Sequence, residues 1–313
     1  MKDSPSKDAV LVTGSSGFIG RHVCKQLAAT GRVTVSLYHH RLPESLPNIY
    51  PVCSDLSSPE LLGAPLRGVS TVIHLAWENN FVGSPSLLQD VASGALTPNL
   101  RMLQNLIQAV ERSATPRIIF LSAIGASRTS MNPFLREKYL AEFLILNSRI
   151  KQKIILRTSI VCGGHDRFLK SIINVMKVPG IYPVPKTSEN LAPLHIDDLV
   201  ALLKDLTTAA MVDPNALIEI AGGERFRIDE IFKLVSDRYA KGSRLPIKGR
   251  LGSTLMPLFE RNSKERADVP RLRHFLALGN KVDLDTRWES PLTKVLPKTF
   301  KSFKEVLAEN HWP

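Results

Sequence analysis

The twelve residues from Ala9 to Gly20, AVLVTGSSGFIG, limit what this chain can fold into more than any other stretch. Ala9-Val10-Leu11-Val12 is a short apolar run of the kind buried on both faces of a parallel sheet. It breaks at Gly14. Phe18-Ile19-Gly20-Arg21-His22-Val23-Cys24-Lys25-Gln26-Leu27 then takes up helical spacing. Strand, glycine-rich turn and helix N-terminus, in that order, make a cradle for a pyrophosphate, because unpaired amides at the start of a helix favour an anion. Gly14 permits the tight turn, Gly17 lets backbone approach phosphate, and Gly20 lets the helix pack closely on the strand. Glycines also punctuate ordinary βα turns; the strand before them and the alternation after them favour the dinucleotide reading.

That alternation runs on through the chain. Val33–Tyr38, Ile49–Cys53, Val69–Ala76, Arg117–Ser122 and Lys153–Gly163 read as further strands. Between them, Asn99–Val110 repeats its apolar residues every three to four positions, and Pro133–Glu142 reads as a second such helix. Trp77–Thr97 is polar and Gly/Ser-containing, expected as a loop over the site with a helical start. A chain of 313 residues has room for one large α/β domain and a smaller lobe.

Composition narrows the function classes. No apolar run approaches the roughly 20 residues of a membrane-spanning helix. The polar lead Met1–Asp8 has no apolar core of a secretory signal, and the three scattered cysteines, Cys24, Cys53 and Cys162, lack metal or disulfide spacing. A reducing, cytoplasmic setting is therefore expected, with no membrane partner. The net charge is +12, and residues 223–313 carry 19 Lys/Arg against 12 Asp/Glu. No basic block or interleaved aromatic module accompanies that charge, so solvated basic faces or attraction for an anionic small molecule explain it better than nucleic acid.

The end of the second strand bears on the cofactor. An Asp or Glu there would accept hydrogen bonds from a ribose 2′-hydroxyl and repel a 2′-phosphate. Tyr38-His39-His40-Arg41 stands there instead, and Arg41 can pair with a phosphate. NADP(H) is expected over NAD(H), unless Arg41 simply opens a loop into water.

The spacing and wording TGSSGFIG resembles the extended short-chain dehydrogenase/reductase family, also called the NAD-dependent epimerase/dehydratase family. The resemblance implies an α/β fold, a Rossmann-type doubly wound parallel sheet with a smaller C-terminal substrate lobe. It places the dinucleotide domain in residues 1–165, with a segment around 191–205 returning to it, and most of 166–313 in the lobe. It implies cofactor contacts at Gly14, Ser16, Gly17, Phe18, Ile19 and Gly20, at Asp55 and Leu56 after the third strand, and at Leu75 and Ala76. Lys138 and Ser159 complete that set, the latter in a segment where Thr158 replaces the family's usual proline. Leu194–Val200 is similar to the family's "HVDD" element, in which His195 and Asp197 are architectural. His74 is read as structural.

In this family's mechanism a tyrosine passes the proton and a lysine four residues on lowers its pKa and holds the nicotinamide ribose. The resemblance gives Lys138, Ser122 and Asn99 as the catalytic candidates. It departs from the family where the tyrosine should be: Phe134 occupies that position. Tyr139 cannot slide into the frame, since Phe143 stands four residues later and one helical step turns a side chain by about 100°. Ala123 stands where the usual serine aligns, one place after Ser122. Two readings stay open. The chain is an atypical oxidoreductase or epimerase acting on a small carbonyl or nucleotide-sugar substrate, or it binds NADP(H) without turnover as a sensor or complex subunit. A nucleophile elbow and a metal-binding histidine pattern are both missing from the sequence, so hydrolase and metal chemistry are not expected. A homodimer is left open.

Overall fold

The computed structural model describes residues 8–78, 96–130, 132–164, 166–176, 181–184, 190–209, 213–239, 245–247 and 299–309. The loop expected over Trp77–Thr97 lies largely outside them, as does most of the basic stretch after Ile247. The chain forms two compact units. The first runs to Arg157 and includes Leu199–Glu219; the second takes Thr158–Asp198 and resumes at Ile220.

In the first unit the chain order is β1 (Ala9–Thr13), α1 (Phe18–Ala29), β2 (Thr34–Tyr38), β3 (Ile49–Cys53), β4 (Val69–His74), α2 (Pro98–Arg112), β5 (Arg117–Ala123), α3 (Pro133–Leu146) and β6 (Gln152–Thr158). The chain then passes through β7 (Val161–Cys162), α4 (Arg167–Met176), β8 (Ile181–Pro183), β9 (Asn190–Leu191), β10 (Leu194–His195), α5 (Ile196–Leu206), β11 (Asn215–Ile220), β12 (Phe226–Arg227), α6 (Ile228–Tyr239), β13 (Leu245–Ile247) and α7 (Phe303–Glu309). Seven strands form one parallel sheet in the order β11-β6-β5-β4-β1-β2-β3. All of β1 is buried, as its unbroken apolar run requires of a central strand covered on both faces. The chain leaves β1 toward β2 and β3 and returns on the other side as β4. That reversal opens a crevice at the carboxyl ends of β1 and β4, where ligands of such sheets bind.

The flanking helices are specified locally. Thr97 caps α2 by accepting from the Leu100 amide at 3.2 Å, with Pro98 in the first turn. Leu100, Leu103, Leu106, Ile107 and Val110 then fall on one buried stripe. Asn132 caps α3 through the Phe134 amide at 3.0 Å, again ahead of a proline. The buried side of α3 is unusual, for it carries Glu137, Lys138 and Glu142 beside Leu135, Ala141 and Ile145.

The second unit has its own core, in which α4 packs on α6 and Phe168, Ile172, Ile231, Phe232 and Val235 meet Phe303, Val306 and Leu307 of α7. Three two-stranded pairings, β7 with β10, β9 with β12 and β8 with β13, complete it. His195 and Asp197 tie the C-terminal segment in place. The His195 Nε2 lies 2.9 Å from a Glu309 oxygen, and the Lys301 ammonium bonds Asp197 at 2.8 Å and Glu309 at 2.9 Å. This His-Asp-Glu group has metal-ligand spacing among the described residues, but the ammonium of Lys301 already bridges its two carboxylates.

Candidate dinucleotide site

The glycines of the β1–α1 turn each answer to a contact. Gly14 has φ +67, and a Cβ there would come within 2.7 Å of the Ala76 amide nitrogen. A Cβ on Gly20 would lie 2.2 Å from the Gly14 carbonyl oxygen, so α1 could not start where it does with any side chain at that position. Gly17 is exposed and its amide donates to Gly14 O at 3.0 Å. Gly17 is also the N-cap of α1, no side chain caps the helix, and its first turn holds no acid. The amides that open the helix are thus left to an external anion. Ser16, Phe18 and Ile19 are half-buried around the turn, while Ser15 is fully buried and donates to Leu37 O at 2.9 Å. These features fit a pyrophosphate.

Thr13 fixes the end of β4 against this turn. Its hydroxyl oxygen accepts from the Leu75 amide at 3.2 Å and the Ala76 amide at 3.3 Å, and lies 2.8 Å from His74 Nδ1. With both lone pairs engaged, its single proton goes to Nδ1, which places the imidazole proton on Nε2. Burial, helped by the charge of Lys138, holds the His74 pKa down at about 3, so the ring is neutral. His74 is structural, as its sequence position suggested. Leu75 and Ala76 are half-buried at the crevice.

At the end of β2, the His39 and His40 rings lie with centroids 3.8 Å apart, tilted by 35°, and Arg41 is exposed. Among the described residues Arg41 has no hydrogen-bond partner. Asp55 accepts from the Ser57 amide at 2.8 Å, keeps an oxygen 3.8 Å from His39 Nε2, and has its pKa lowered chiefly by the Ser57 hydrogen bonds. Leu56 differs from the other candidates: its side chain is 5% exposed in the core, and its carbonyl accepts from Asn105 at 3.0 Å. Ser159 belongs to the second unit, where its hydroxyl donates to Ala192 O at 2.6 Å.

The three catalytic candidates gather in the first unit, each held by protein partners. Ser122 donates to Glu142, which also takes a bidentate grip from Arg157 at 2.9 and 2.7 Å. Asn99 accepts from the Glu78 amide at 2.8 Å and donates to Glu78 O and, at 3.1 Å, to Glu137. Glu137 also accepts from Thr97, and burial raises its pKa. Lys138 is 6% exposed. Its ammonium donates to Leu121 O at 3.0 Å and lies 3.7 Å from the Trp77 ring centroid, 4.7 Å from Phe120 and 5.6 Å from Phe134. Burial lowers its pKa to about 7 against the opposing pull of Glu137 and Glu142. Tyr139 is half-buried on α3. Sequence reasoning passed over Trp77, Glu137 and Glu142. An aromatic residue directly after His74-Leu75-Ala76, and acids beside Lys138 on a helix, were the available signals.

Residues 14–160 match the family described as NAD(P)H-binding, which covers the turn, strands β2 to β6 of the sheet and α3. Two curated relatives differ in kind. The NADH dehydrogenase (ubiquinone) 1 alpha subcomplex subunit 9, mitochondrial, of Dictyostelium discoideum is 27% identical over 75% of this chain and 65% of its own length. A ceramide reductase of Caulobacter vibrioides is 24% identical over 63% of this chain and 60% of its own. The chain thus spans somewhat under two thirds of either relative. A solved nucleoside-diphosphate-sugar epimerase of Staphylococcus aureus shares the fold with a TM-score of 0.69 at 13% identity, over 96% of this chain and 100% of that one. The fold and turn define an NAD(P)-binding protein. The chain is similar to proteins of the extended short-chain dehydrogenase/reductase, or NAD-dependent epimerase/dehydratase, family.

Proposed function

We propose that this chain binds NADP(H) as a resident ligand without turning it over, as a subunit of an NADH dehydrogenase (ubiquinone) complex. One observation carries the reading. The proton-donor position is the phenyl ring of Phe134, and the lysine that should serve beside it, Lys138, is buried among Trp77, Phe120 and Phe134. A bound nicotinamide can supply hydride transfer, but neither Ser122 nor Asn99 has a group free to move the accompanying proton, since Glu142 and Glu137 hold them. Loss of general acid catalysis alone costs about 10²–10⁴ in rate. The preference for NADP(H) is supported by exposed Arg41 beside His39 and His40, with no carboxylate on β2 to repel a 2′-phosphate. The partner complex and a mitochondrial rather than cytoplasmic setting are supported by the Dictyostelium relative's name.

Calorimetric titration with NADPH and NADH tests the ligand, and incubation of NADPH-loaded protein with aldehydes, ketones and nucleotide-sugars tests turnover. NADPH is expected to bind more tightly and to stay reduced. Steady loss of absorbance at 340 nm with any of these substrates would restore the oxidoreductase reading.

A further inference from the structure

We infer that Trp77 withdraws the Lys138 ammonium from any bound dinucleotide, so that the ligand is held through its adenosine diphosphate half and the nicotinamide riboside adds little affinity. The inference rests on the reading of this chain as a dinucleotide binder.

The groups suited to the two halves of the ligand differ in access. Gly17 and Arg41 are exposed and the helix amides are uncapped, so the groups for the adenosine diphosphate half face solvent. Lys138, the group for the nicotinamide ribose, is buried. Its surroundings are aromatic, with a single carbonyl. Among the described residues no carboxylate lies within ion-pair distance of it. Glu137 is engaged by Thr97 and Asn99, and Glu142 by Ser122 and Arg157. The charge is therefore met by the Leu121 carbonyl and the faces of the rings, of which Trp77 is nearest at 3.7 Å. A desolvated ammonium on an indole is the strongest form of this contact.

Trp77 is also held where it stands. Thr13 pins the amides of Leu75 and Ala76 just before it, and Asn99 bonds both the amide and the carbonyl of Glu78 just after it. Its ring packs 5.8 Å from Phe120, and its Nε1 lies near the Glu137 carboxylate without a well-aligned hydrogen bond. For Lys138 to reach outward, the ammonium would have to leave the ring and the carbonyl together. Trp77 is thus a positioning residue acting through Lys138.

The test compares NADPH with 2′-phosphoadenosine 5′-diphosphate, which lacks the whole nicotinamide riboside, by calorimetry on the full chain. In the wild type the two dissociation constants are expected within about threefold of each other. Trp77→Leu should free the lysine and make NADPH about tenfold tighter than the fragment. Adding Lys138→Met to Trp77→Leu should remove that gain. A wild-type preference for NADPH of about tenfold or more, lost in Lys138→Met, would overturn the inference, and so would a ratio that Trp77→Leu leaves unchanged. If Trp77→Leu fails to fold by circular dichroism, the wild-type and Lys138→Met ratios decide alone. Failure of the wild type to bind either compound is a different result, and it removes the dinucleotide reading itself.

Discussion

Lys138 sets a sign for the pH dependence of stability. Its folded pKa is about 7 against an ordinary 10.5, mainly through burial. Between those values the unfolded chain holds a proton that the folded chain has released, so this residue's contribution to stability rises with pH across the window. Below pH 7 both states carry the charge and the folded one bears its desolvation. Lys138→Met should therefore stabilise the protein most near pH 6, with a gain that shrinks by at most about 1.4 kcal/mol per pH unit above 7. Urea unfolding at pH 6 and pH 9 checks this; equal gains at both would refute it. His74 acts in an acidic window. Its folded pKa of about 3 lies below the ordinary 6.5, so stability should fall as pH drops from 6.5 toward 3. At this scale the sequence was half-legible. That Phe134 cannot donate a proton is plain from the residue itself, whereas the placing of Lys138 over Trp77 joins residues 61 positions apart and appears only when β4 and α3 meet.

The β1–α1 turn and α3 show what determines an element. The turn is encoded largely locally, since Gly17 and Gly20 answer contacts within the turn and only Gly14 answers one with the chain just after β4, and it could be read from twelve residues. Gly20→Ala should show how little room it has. The added methyl would meet backbone at 2.2 Å, which cannot give as a side chain can. We expect a loss of about 1–3 kcal/mol in chemical unfolding and weakened NADPH binding, the latter because the cradle must open. Gly31→Ala serves as a control. Its φ of +72 carries its own strain, but a methyl there meets nothing within 4 Å. If Gly20→Ala costs no more than Gly31→Ala, the close-packing account of the turn fails. By contrast, α3 is not legible as a packing element, because its buried face holds Glu137, Lys138 and Glu142, whose satisfaction comes from α2, β5 and β6. The last strand to join the seven-stranded sheet, β11, is not among the strands read from the sequence, although Ile218 and Ile220 are buried at alternate positions.

The molecule as a whole joins a turn suited to a dinucleotide with a centre whose proton-handling groups are occupied. On the proposed reading such a chain is useful by being present and loaded, and two substitutions separate that role from catalysis. Gly20→Val places a branched side chain where even a Cβ meets backbone, and should abolish NADPH binding. If the loaded chain is a subunit, cells expressing only this variant should lose the chain from the high-mass NADH dehydrogenase band on native gels. The reason is that a ligand that binds only the folded state adds about 2.7 kcal/mol at a hundredfold excess over its dissociation constant, and the variant forgoes this. Phe134→Tyr restores the hydroxyl at the proton-donor position yet leaves Lys138 stacked on Trp77. It should neither gain reductase turnover nor leave the band. An enzyme acting alone would show the opposite pattern, with Phe134→Tyr changing turnover and Gly20→Val leaving every large assembly as it was. The native gel and the absorbance assay, run on the same two variants, therefore choose between an assembly subunit and a reductase.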